Sequence, residues 1–369
     1  MHATDLLITG GDGYLGARLA RHALATTDDR LLLWLHATHR EAFEAKRQRL
    51  LAWLGFPEGR VQFAGGDVTA EDAFQGVEPR AIRRIIHTAA ATRFNVDVET
   101  ARQVNIVGTR KVLEFAARCP HLERVALLST IYTSGLMAGT IPEIAFDGKD
   151  GFSNYYEWSK WESERLMITE FAHLPWAIIR IATVIADDAS GAVTQQNAFH
   201  NTLKLFYYGL LALMPGACDT PLYFITGEFV TRAVLTLLQY GAARAIYHVA
   251  HRQEESLALE PLIDLVYDTF GQDQRFATRC VLKPLFADQE TFVLLADGVN
   301  TFANSVVSQA VASVAPFSRQ LFIKKRVLND HTVALLPDYI APDPTTLIRC
   351  TCERLLAERW QRGDHLAVH

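Results

Sequence analysis

Residues 6–16 read Leu-Leu-Ile-Thr-Gly-Gly-Asp-Gly-Tyr-Leu-Gly, an apolar strand that runs directly into a glycine-rich turn. Glycines stand at positions 10, 13 and 16, and a helical pattern begins at Leu15. Glycines at this spacing let the backbone turn tightly and approach a pyrophosphate, whose charge then faces the N-terminus of the helix. The strand–turn–helix context predicts a dinucleotide-binding loop, with a purely structural glycine turn as the alternative.

The first half of the chain alternates short apolar runs with helical stretches. The runs are Leu6–Thr9, Leu31–Leu35, Val61–Ala64, Arg84–His87, Val125–Ser129 and Ala177–Ile181, with a later one at Ile246–Val249. Apolar strands separated by helices indicate a parallel sheet that is covered on both faces. We therefore predict an α/β fold with a doubly wound parallel (Rossmann) sheet in residues 1–185, whose ligands sit outside the carboxyl ends of the strands.

The alternation weakens after about residue 186. We predict a smaller, mainly helical substrate lobe over residues 186–369, partly interleaved with the first part so that the two form one structural unit. The longest apolar run, Leu205–Met214, is shorter than the roughly 20 residues that span a bilayer. It is interpreted as a buried helix or a pocket wall, and no membrane span is predicted.

Composition and charge narrow the class of protein. Of 369 residues, 49% are hydrophobic and 21% charged, and the net charge of −5 comes without a basic tail, which argues against a nucleic-acid partner. The cationic cluster at 45–49 is interpreted as a solvated helix face. The five cysteines lack metal or redox spacing, and no signal sequence precedes the first strand. We expect reduced thiols, a cytoplasmic protein and no metal site.

Tyr156 and Lys160 lie four residues apart in a helical pattern and so share one face. A free tyrosine has a pKa of about 10, and a neighbouring lysine cation brings it into working range. Tyr156 is then able to donate a proton to a carbonyl oxygen as hydride reaches the carbon. The alternative is that the two residues are an ordinary pair on a surface helix. Tyr155 is a competing candidate for the proton donor, although its five-residue separation from Lys160 fits one helix face less well.

Two hydroxyl residues, Ser129 and Thr130, end the strand that begins at Val125. A hydroxyl at this carboxyl end would hold a substrate carbonyl and the tyrosine in register. The alternative is a polar strand cap that bonds only to nearby backbone.

The end of the second strand bears on the choice of cofactor. NAD enzymes usually place a carboxylate there for the ribose 2′-hydroxyl, and this chain has none. His36, His39 and Arg40 would instead meet the 2′-phosphate of NADP, unless they form an exposed polar turn. NADP is therefore predicted, with NAD left open. Asp67 is predicted to accept a hydrogen bond from the adenine amine, with a simple turn at 65–67 as the alternative.

These motifs together resemble the extended short-chain dehydrogenase/reductase family. The matching elements are the glycine loop after Thr9, the Ser129–Thr130 pair and Tyr156-x-x-x-Lys160, in order and spacing. The resemblance implies that Thr130 polarises the carbonyl, Tyr156 is the acid/base, Lys160 also binds the nicotinamide ribose, and Asn105 supports them. With the residues above, the set predicted to bind the cofactor is Thr9, Gly10, Gly13, Tyr14, Leu15, Gly16, His36, Arg40, Asp67, Val68, Ala89, Ala90 and Lys160.

A narrower likeness is to the thioester reductase and fatty acyl-CoA reductase branch. It rests on the segments Ile85–Phe94, Val104–Arg110, Ser129–Tyr132, Ser159–Glu164 and Gly209–Gly216. One departure is His36, where the branch commonly has arginine. The likeness implies an NAD(P)H-dependent reductase of an acyl thioester, bound to coenzyme A or to a carrier protein, giving an aldehyde or an alcohol.

Two other functions stay open. One is a sugar-nucleotide epimerase or dehydratase, or a hydroxysteroid-type dehydrogenase; the other is a dinucleotide-binding scaffold or redox sensor without turnover. The Thr130/Tyr156/Lys160 set argues against a scaffold, which has no need of a proton donor. Between Ala189 and Pro215 there is one lysine, Lys204, and no arginine, which favours an alkyl chain over a diphosphate. The sequence leaves the acyl chain and the oligomeric state open, a dimer included.

Overall fold

The computed structural model describes residues 4–55, 58–300, 306–336 and 338–361. The strands are β1 (Thr4–Thr9), β2 (Leu31–His36), β3 (Val61–Gly66), β4 (Ile82–His87), β5 (Arg124–Thr130), β6 (Gly139–Ile141), β7 (Trp176–Ile181), β8 (Thr183–Ala186), β9 (Leu213–Pro215), β10 (Pro221–Leu222), β11 (Phe224–Thr226), β12 (Ala245–Val249), β13 (Leu257–Ala258), β14 (Leu285–Ala287) and β15 (Lys325–Val327). The helices are α1 (Tyr14–Thr26), α2 (Arg40–Leu54), α3 (Val98–Thr100), α4 (Gly108–Ala117), α5 (Tyr155–Thr169), α6 (Ala198–Tyr208), α7 (Gly227–Tyr240), α8 (Leu259–Phe270), α9 (Gln274–Ala277), α10 (Gln289–Asn300), α11 (Val306–Ser318), α12 (Asp330–Ala334) and α13 (Pro344–Ala357).

Seven strands form one sheet in the order β3-β2-β1-β4-β5-β7-β12, and every pair in it is parallel. Ile8 at the centre pairs with Leu33 on one side and Ile86 on the other. The strand order reverses between β1 and β4, so the loops that follow these strands diverge and leave a crevice at the carboxyl edge. The doubly wound α/β fold predicted from the apolar runs is confirmed.

Both faces of the sheet are buried, which is why its strands are apolar throughout. Leu6 and Ile8 belong to a core shared with α1 and α7, whereas Leu7 between them belongs to a core shared with α4 and α5. All three side chains are fully buried. Neighbouring residues of a strand point to opposite faces, so each layer of helices covers alternate residues.

A second core lies under the later helices. It joins α6, α8 and α13 through fully or nearly fully buried side chains such as Phe206, Val266 and Ile348. The segment 205–214 forms the end of α6 and the start of β9, and none of the helices in the described ranges is long and apolar enough to cross a membrane.

The two parts of the chain are interleaved. β12 and α7 follow residue 186, yet β12 completes the main sheet and α7 packs on it through Val230, Ala233 and Leu237. The predicted division into residues 1–185 and 186–369 stays a prediction, and in this arrangement the later half supplies one strand and one helix to the earlier one.

Four histidines are almost completely buried and keep a depressed pKa, because burial penalises their charged form. Burial lowers the pKa to about 3 for two of them and to about 4 for the other two. These buried histidines are His87, His200, His248 and His251. Each is therefore neutral in the folded protein at ordinary pH.

Candidate active site

A large cleft of about 1560 Å³ opens at the carboxyl edge of the sheet. It runs from the glycine loop, past the ends of β4 and β5 and the start of α5, to α6 and α8. The predicted site residues on its wall are Gly10, Gly13, Tyr14, Leu15, Gly16, His36, Asp67, Val68, Ala89, Ala90, Thr130, Tyr156 and Lys160. Three others, Thr9, Arg40 and Asn105, are not on the wall.

Two glycines of the loop have no room for a side chain. Gly10 adopts φ +68°, and a β carbon there would lie 2.7 Å from Thr88 Oγ1 and 2.9 Å from the Ala89 nitrogen. A β carbon on Gly16 would overlap the Gly10 carbonyl oxygen, whereas one on Gly13 would lie 3.2 Å from that oxygen. The turn itself therefore requires Gly10 and Gly16.

The N-terminus of α1 faces the cleft without a cap. Gly13 precedes the helix, no side chain accepts from its first turn, and that turn has no acidic residue. Unpaired amides and the positive end of the helix dipole together favour an anion here. The loop and helix thus fit the pyrophosphate of a dinucleotide.

Tyr14, the first residue of α1, contacts a segment outside the glycine loop. Its hydroxyl donates to Asp187 Oδ1 at 2.8 Å, and Arg18 on the next turn of α1 forms an ion pair with the same carboxylate at 2.7 Å. Thr194 Oγ1 also donates to Asp187. Tyr14 therefore connects the loop to the segment that follows β8.

Thr9 and Asn105 lie behind the wall of the cleft. The Thr9 hydroxyl contacts His87 Nδ1 at 2.7 Å and joins the ends of β1 and β4. Asn105 Oδ1 accepts from the Ala91 amide at 2.8 Å, and its Nδ2 donates to the Ala91 carbonyl and to Ser159 Oγ. Asn105 sits in a π-helical turn (Ala101–Val107) between α3 and α4, a feature often found at functional sites. Both residues position the wall.

The two hydroxyls at the end of β5 have different surroundings. Ser129 Oγ donates to Glu164 Oε1 at 2.5 Å, and Glu164 forms a buried ion pair with Arg180 at 2.7 Å. The Thr130 hydroxyl lines the cleft and accepts from the Tyr132 amide at 3.3 Å. Ser129 lines the cleft as well, and the two residues differ in that Ser129 is engaged by Glu164.

Helix α5 begins where Asn154 Oδ1 accepts from the Glu157 amide, which places Tyr156 and Lys160 on the cleft. Lys160 Nζ donates to the Leu128 carbonyl at 2.7 Å, and burial lowers the pKa of Lys160 to about 8. Burial also raises the pKa of Tyr156, with a hydrogen bond to Thr130 acting against it. The Tyr156 phenol is therefore protonated at neutral pH. Tyr155 is 51% exposed and off the wall.

Lys46 is a cleft residue that the sequence did not reveal. Its Nζ donates to Asp12 Oδ2 at 2.7 Å and to the His36 carbonyl at 2.6 Å, and its side chain is almost buried. The interpretation of residues 45–49 as a solvated face is therefore wrong for Lys46. An acid inside a glycine loop was the available signal, because a carboxylate held that close to backbone needs a partner.

The sequence also did not reveal a group formed by Glu157, Gln320 and Lys325, of which the last two come from late in the chain. Glu157 Oε2 accepts from Gln320 Nε2 at 2.9 Å, and Lys325 Nζ donates to Ser134 Oγ at 2.9 Å and to the Gly135 carbonyl. Burial raises the pKa of Glu157 to about 7 and lowers that of Lys325 to about 8, while each charge favours the other. The three long side chains line the cleft beside Tyr156.

The far half of the cleft combines a group of apolar side chains with amide side chains, among them Gln195, Gln196 and Asn197. Phe199, Leu203 and Phe206 line it, and Leu203 and Phe206 also belong to the second core, in which Tyr207 and Leu211 are buried away from the cleft. Phe94 stands at the junction, with its ring 5.8 Å from the ring of Tyr156 and 5.6 Å from that of Phe317. An apolar channel thus leads away from the hydroxyls.

The seven-stranded sheet and the glycine loop at its edge are those of an NAD(P)-dependent oxidoreductase of the extended short-chain dehydrogenase/reductase type. Residues 8–234 match a family model described as Male sterility protein, and the chain belongs to that family.

Two relatives are similar to parts of the chain. The chain is 25% identical over 211 residues to an isonitrile lipopeptide synthase of Streptomyces coeruleorubidus, covering 54% of this chain and 14% of that protein. It is 28% identical over 161 residues to an alcohol-forming fatty acyl-CoA reductase of Simmondsia chinensis, covering 37% of this chain and 33% of that protein. The chain therefore matches only a minor part of each of these curated relatives.

Solved structures share the fold over nearly the whole chain. The terminal R domain from the myxalamid PKS-NRPS biosynthetic pathway superimposes with a TM-score of 0.75 at 18% identity, covering 98% of this chain and 93% of that one. A UDP-glucuronic acid 4-epimerase from Bacillus cereus in complex with NAD gives 0.65 at 16% identity, covering 95% and 99%. At these identities the likeness shows the fold alone.

Proposed function

We propose that the chain reduces an acyl thioester, carried by coenzyme A or by a carrier protein, using a reduced nicotinamide dinucleotide. The observation that carries the proposal is the single cleft, which joins the glycine loop, the Thr130/Tyr156/Lys160 group and the apolar channel. The names of the relatives that act on acyl-CoA or assemble lipopeptides support the same substrate class.

The glycine loop and the N-terminus of α1 would hold the pyrophosphate, and the bound cofactor supplies hydride to the thioester carbon. Thr130 and Tyr156 hold the carbonyl oxygen by hydrogen bonds. Tyr156, which its raised pKa keeps protonated at neutral pH, donates its proton to that oxygen as the carbon becomes tetrahedral. Lys160 places a cation beside the phenolate that remains. Collapse of the tetrahedral hemithioacetal breaks the carbon–sulfur bond and yields an aldehyde and a thiol; a second reduction would yield an alcohol.

The channel favours an acyl chain over a nucleotide diphosphate. Phe199, Leu203 and Phe206 offer apolar contact, and each methylene that they bury contributes about 0.8 kcal/mol. A diphosphate needs charge-assisted hydrogen bonds, and the 189–215 segment offers only Lys204, which is not on the described wall.

The test supplies the purified chain with NADH or NADPH and a matched panel of short, medium and long acyl-CoA esters, acyl-loaded carrier protein and nucleotide sugars. Nicotinamide absorbance and product analysis are followed together. We expect oxidation of the cofactor with a thioester, and release of aldehyde or alcohol with a stoichiometric thiol. Conversion of a nucleotide sugar, with no thioester consumed, would replace the proposal by the epimerase or dehydratase function. Binding of cofactor with no turnover of any substrate would favour a scaffold.

A further inference from the structure

The corner of the cleft between the glycine loop and the end of β2 holds a buried ion pair. Lys46 Nζ lies 2.7 Å from Asp12 Oδ2 and 2.6 Å from the carbonyl oxygen of His36, the last residue of β2. Asp12, His36 and Lys46 all line the cleft. One ammonium group therefore ties the loop carboxylate to the end of β2.

In dinucleotide-binding folds, this corner contacts the ribose of the adenosine half of the cofactor. A carboxylate at the end of the second strand accepts from the 2′-hydroxyl of NAD, while an arginine nearby accommodates the 2′-phosphate of NADP. β2 ends in His36 and carries no acid. Asp12 supplies a carboxylate at the same corner from the other side, out of the glycine loop.

The cations nearby are otherwise engaged or directed elsewhere. Arg40 is exposed and off the described wall of the cleft, and His39 Nδ1 accepts from the Ala42 amide and contacts Glu41. Lys46 does reach the wall, but Asp12 neutralises it. Lys46 therefore has no unpaired charge to offer a 2′-phosphate.

A 2′-phosphate and a 2′-hydroxyl would meet this corner very differently. A phosphate monoester carries a charge of about −1.5 to −2 at neutral pH and would be repelled by the Asp12 carboxylate. A hydroxyl brings no charge and donates a hydrogen bond to the carboxylate, which is an acceptor at both oxygens.

We propose that Asp12 makes the protein select NADH over NADPH, by accepting from the ribose 2′-hydroxyl and by keeping Lys46 neutralised. Of the two cofactors that the sequence left open, the proposal takes NAD. It concerns the dinucleotide alone and holds whichever carbonyl compound the cleft reduces.

The test measures dissociation constants of NADH and NADPH by fluorescence titration of the full chain, without substrate. For the wild type we expect NADH to bind at least about tenfold more tightly, the effect of a single pair of unfavourable charges near a surface. Asp12→Asn frees Lys46 and should move the ratio of the two constants at least about tenfold toward NADPH. Arg49→Ala, at an exposed position on the same helix as Lys46, should leave the ratio unchanged.

Thermal unfolding of each variant shows whether the fold is kept, and Asp12→Ser replaces Asp12→Asn if the latter does not fold. The wild-type ratio is decisive without any variant. Equal affinities, or tighter binding of NADPH by the wild type, would overturn the proposal. So would a folded Asp12 variant whose ratio matches that of the wild type. Because no thioester is present, failure of the reductase proposal would leave this result intact.

Discussion

The exchange Tyr156→Phe tests the role of the phenol with little disturbance of the fold. The hydroxyl is removed, but the ring keeps its packing beside Phe94, with centroids 5.8 Å apart. The protein loses one buried hydrogen bond with Thr130, worth about 1 kcal/mol, and no volume that would leave a cavity. Stability should therefore change by about 1 kcal/mol or less.

The effect on turnover should be far larger. A positioned general acid contributes roughly 10²–10⁴-fold, which corresponds to about 2.7–5.4 kcal/mol of barrier. Glu157 and Lys325 line the same cleft, but their polar atoms are held by Gln320, Ser134 and backbone groups. Because neither is free to take the place of the phenol, we expect a loss of at least about 100-fold in kcat.

The assay is steady-state turnover with the best thioester of the panel, next to fluorescence titration of the cofactor and urea unfolding. Tyr155→Phe is the matched control, since it changes the adjacent, half-exposed tyrosine of the same helix and should keep wild-type turnover. Full activity in Tyr156→Phe, with activity lost in Tyr155→Phe, would refute the reasoning and transfer the role to Tyr155.

Three further predictions concern the loop, the lysine and acid stability. Gly16→Ala should lower both the unfolding temperature and the affinity for dinucleotide, because its β carbon would overlap the Gly10 carbonyl oxygen; Gly59→Ala, with open space around it, should change neither. The kcat/KM should fall above about pH 8, since the pKa of Lys160 is about 8 and its ammonium is lost there; a profile flat to pH 10 would contradict this. The four buried histidines stay neutral when folded but gain protons when unfolded, so stability present above about pH 6.5 is lost on acidification, by roughly 1.4 kcal/mol per pH unit for each. The pKa of Glu157 is raised to about 7, so this carboxyl adds stability on acidification and offsets the loss from one histidine. Urea unfolding at pH 7 and pH 5 should still show that the free energy of unfolding falls by several kcal/mol.

Features set by local periodicity were predictable from the sequence. The apolar runs gave the strands of the parallel sheet, including β12 late in the chain, because a strand buried on both faces must be apolar throughout. The spacing of Tyr156 and Lys160 is one helical turn, so any helix that buries one against the cleft also brings the other there. The glycine loop was visible for the same reason, since its geometry excludes side chains at Gly10 and Gly16.

Features set by contacts between distant segments were not predictable in this way. Arg40 and Lys46 both lie on α2, and no pattern within this helix indicates which of them it turns toward the cleft. The structure decides it through an ion pair between Lys46 and Asp12, 34 residues apart. The pairing of Glu157 with Gln320 spans 163 residues, and no pattern near Glu157 indicates it. In both cases the partner comes from another element, so tertiary contacts decide which side chain reaches the cleft.

The choice between Ser129 and Thr130 lies between these two cases. Consecutive residues of a strand point to opposite faces, so the sequence already requires that the two hydroxyls differ in their surroundings. What distinguishes the two is Glu164, which accepts from Ser129 and is itself held by the buried Arg180. Removing Arg180 would leave the buried Glu164 without a counter-ion, so the ion pair keeps Glu164 in place as the acceptor for Ser129. Both residues line the cleft, but Ser129 is engaged by Glu164, and that difference depends on Arg180, which lies two strands later in the sequence, on β7.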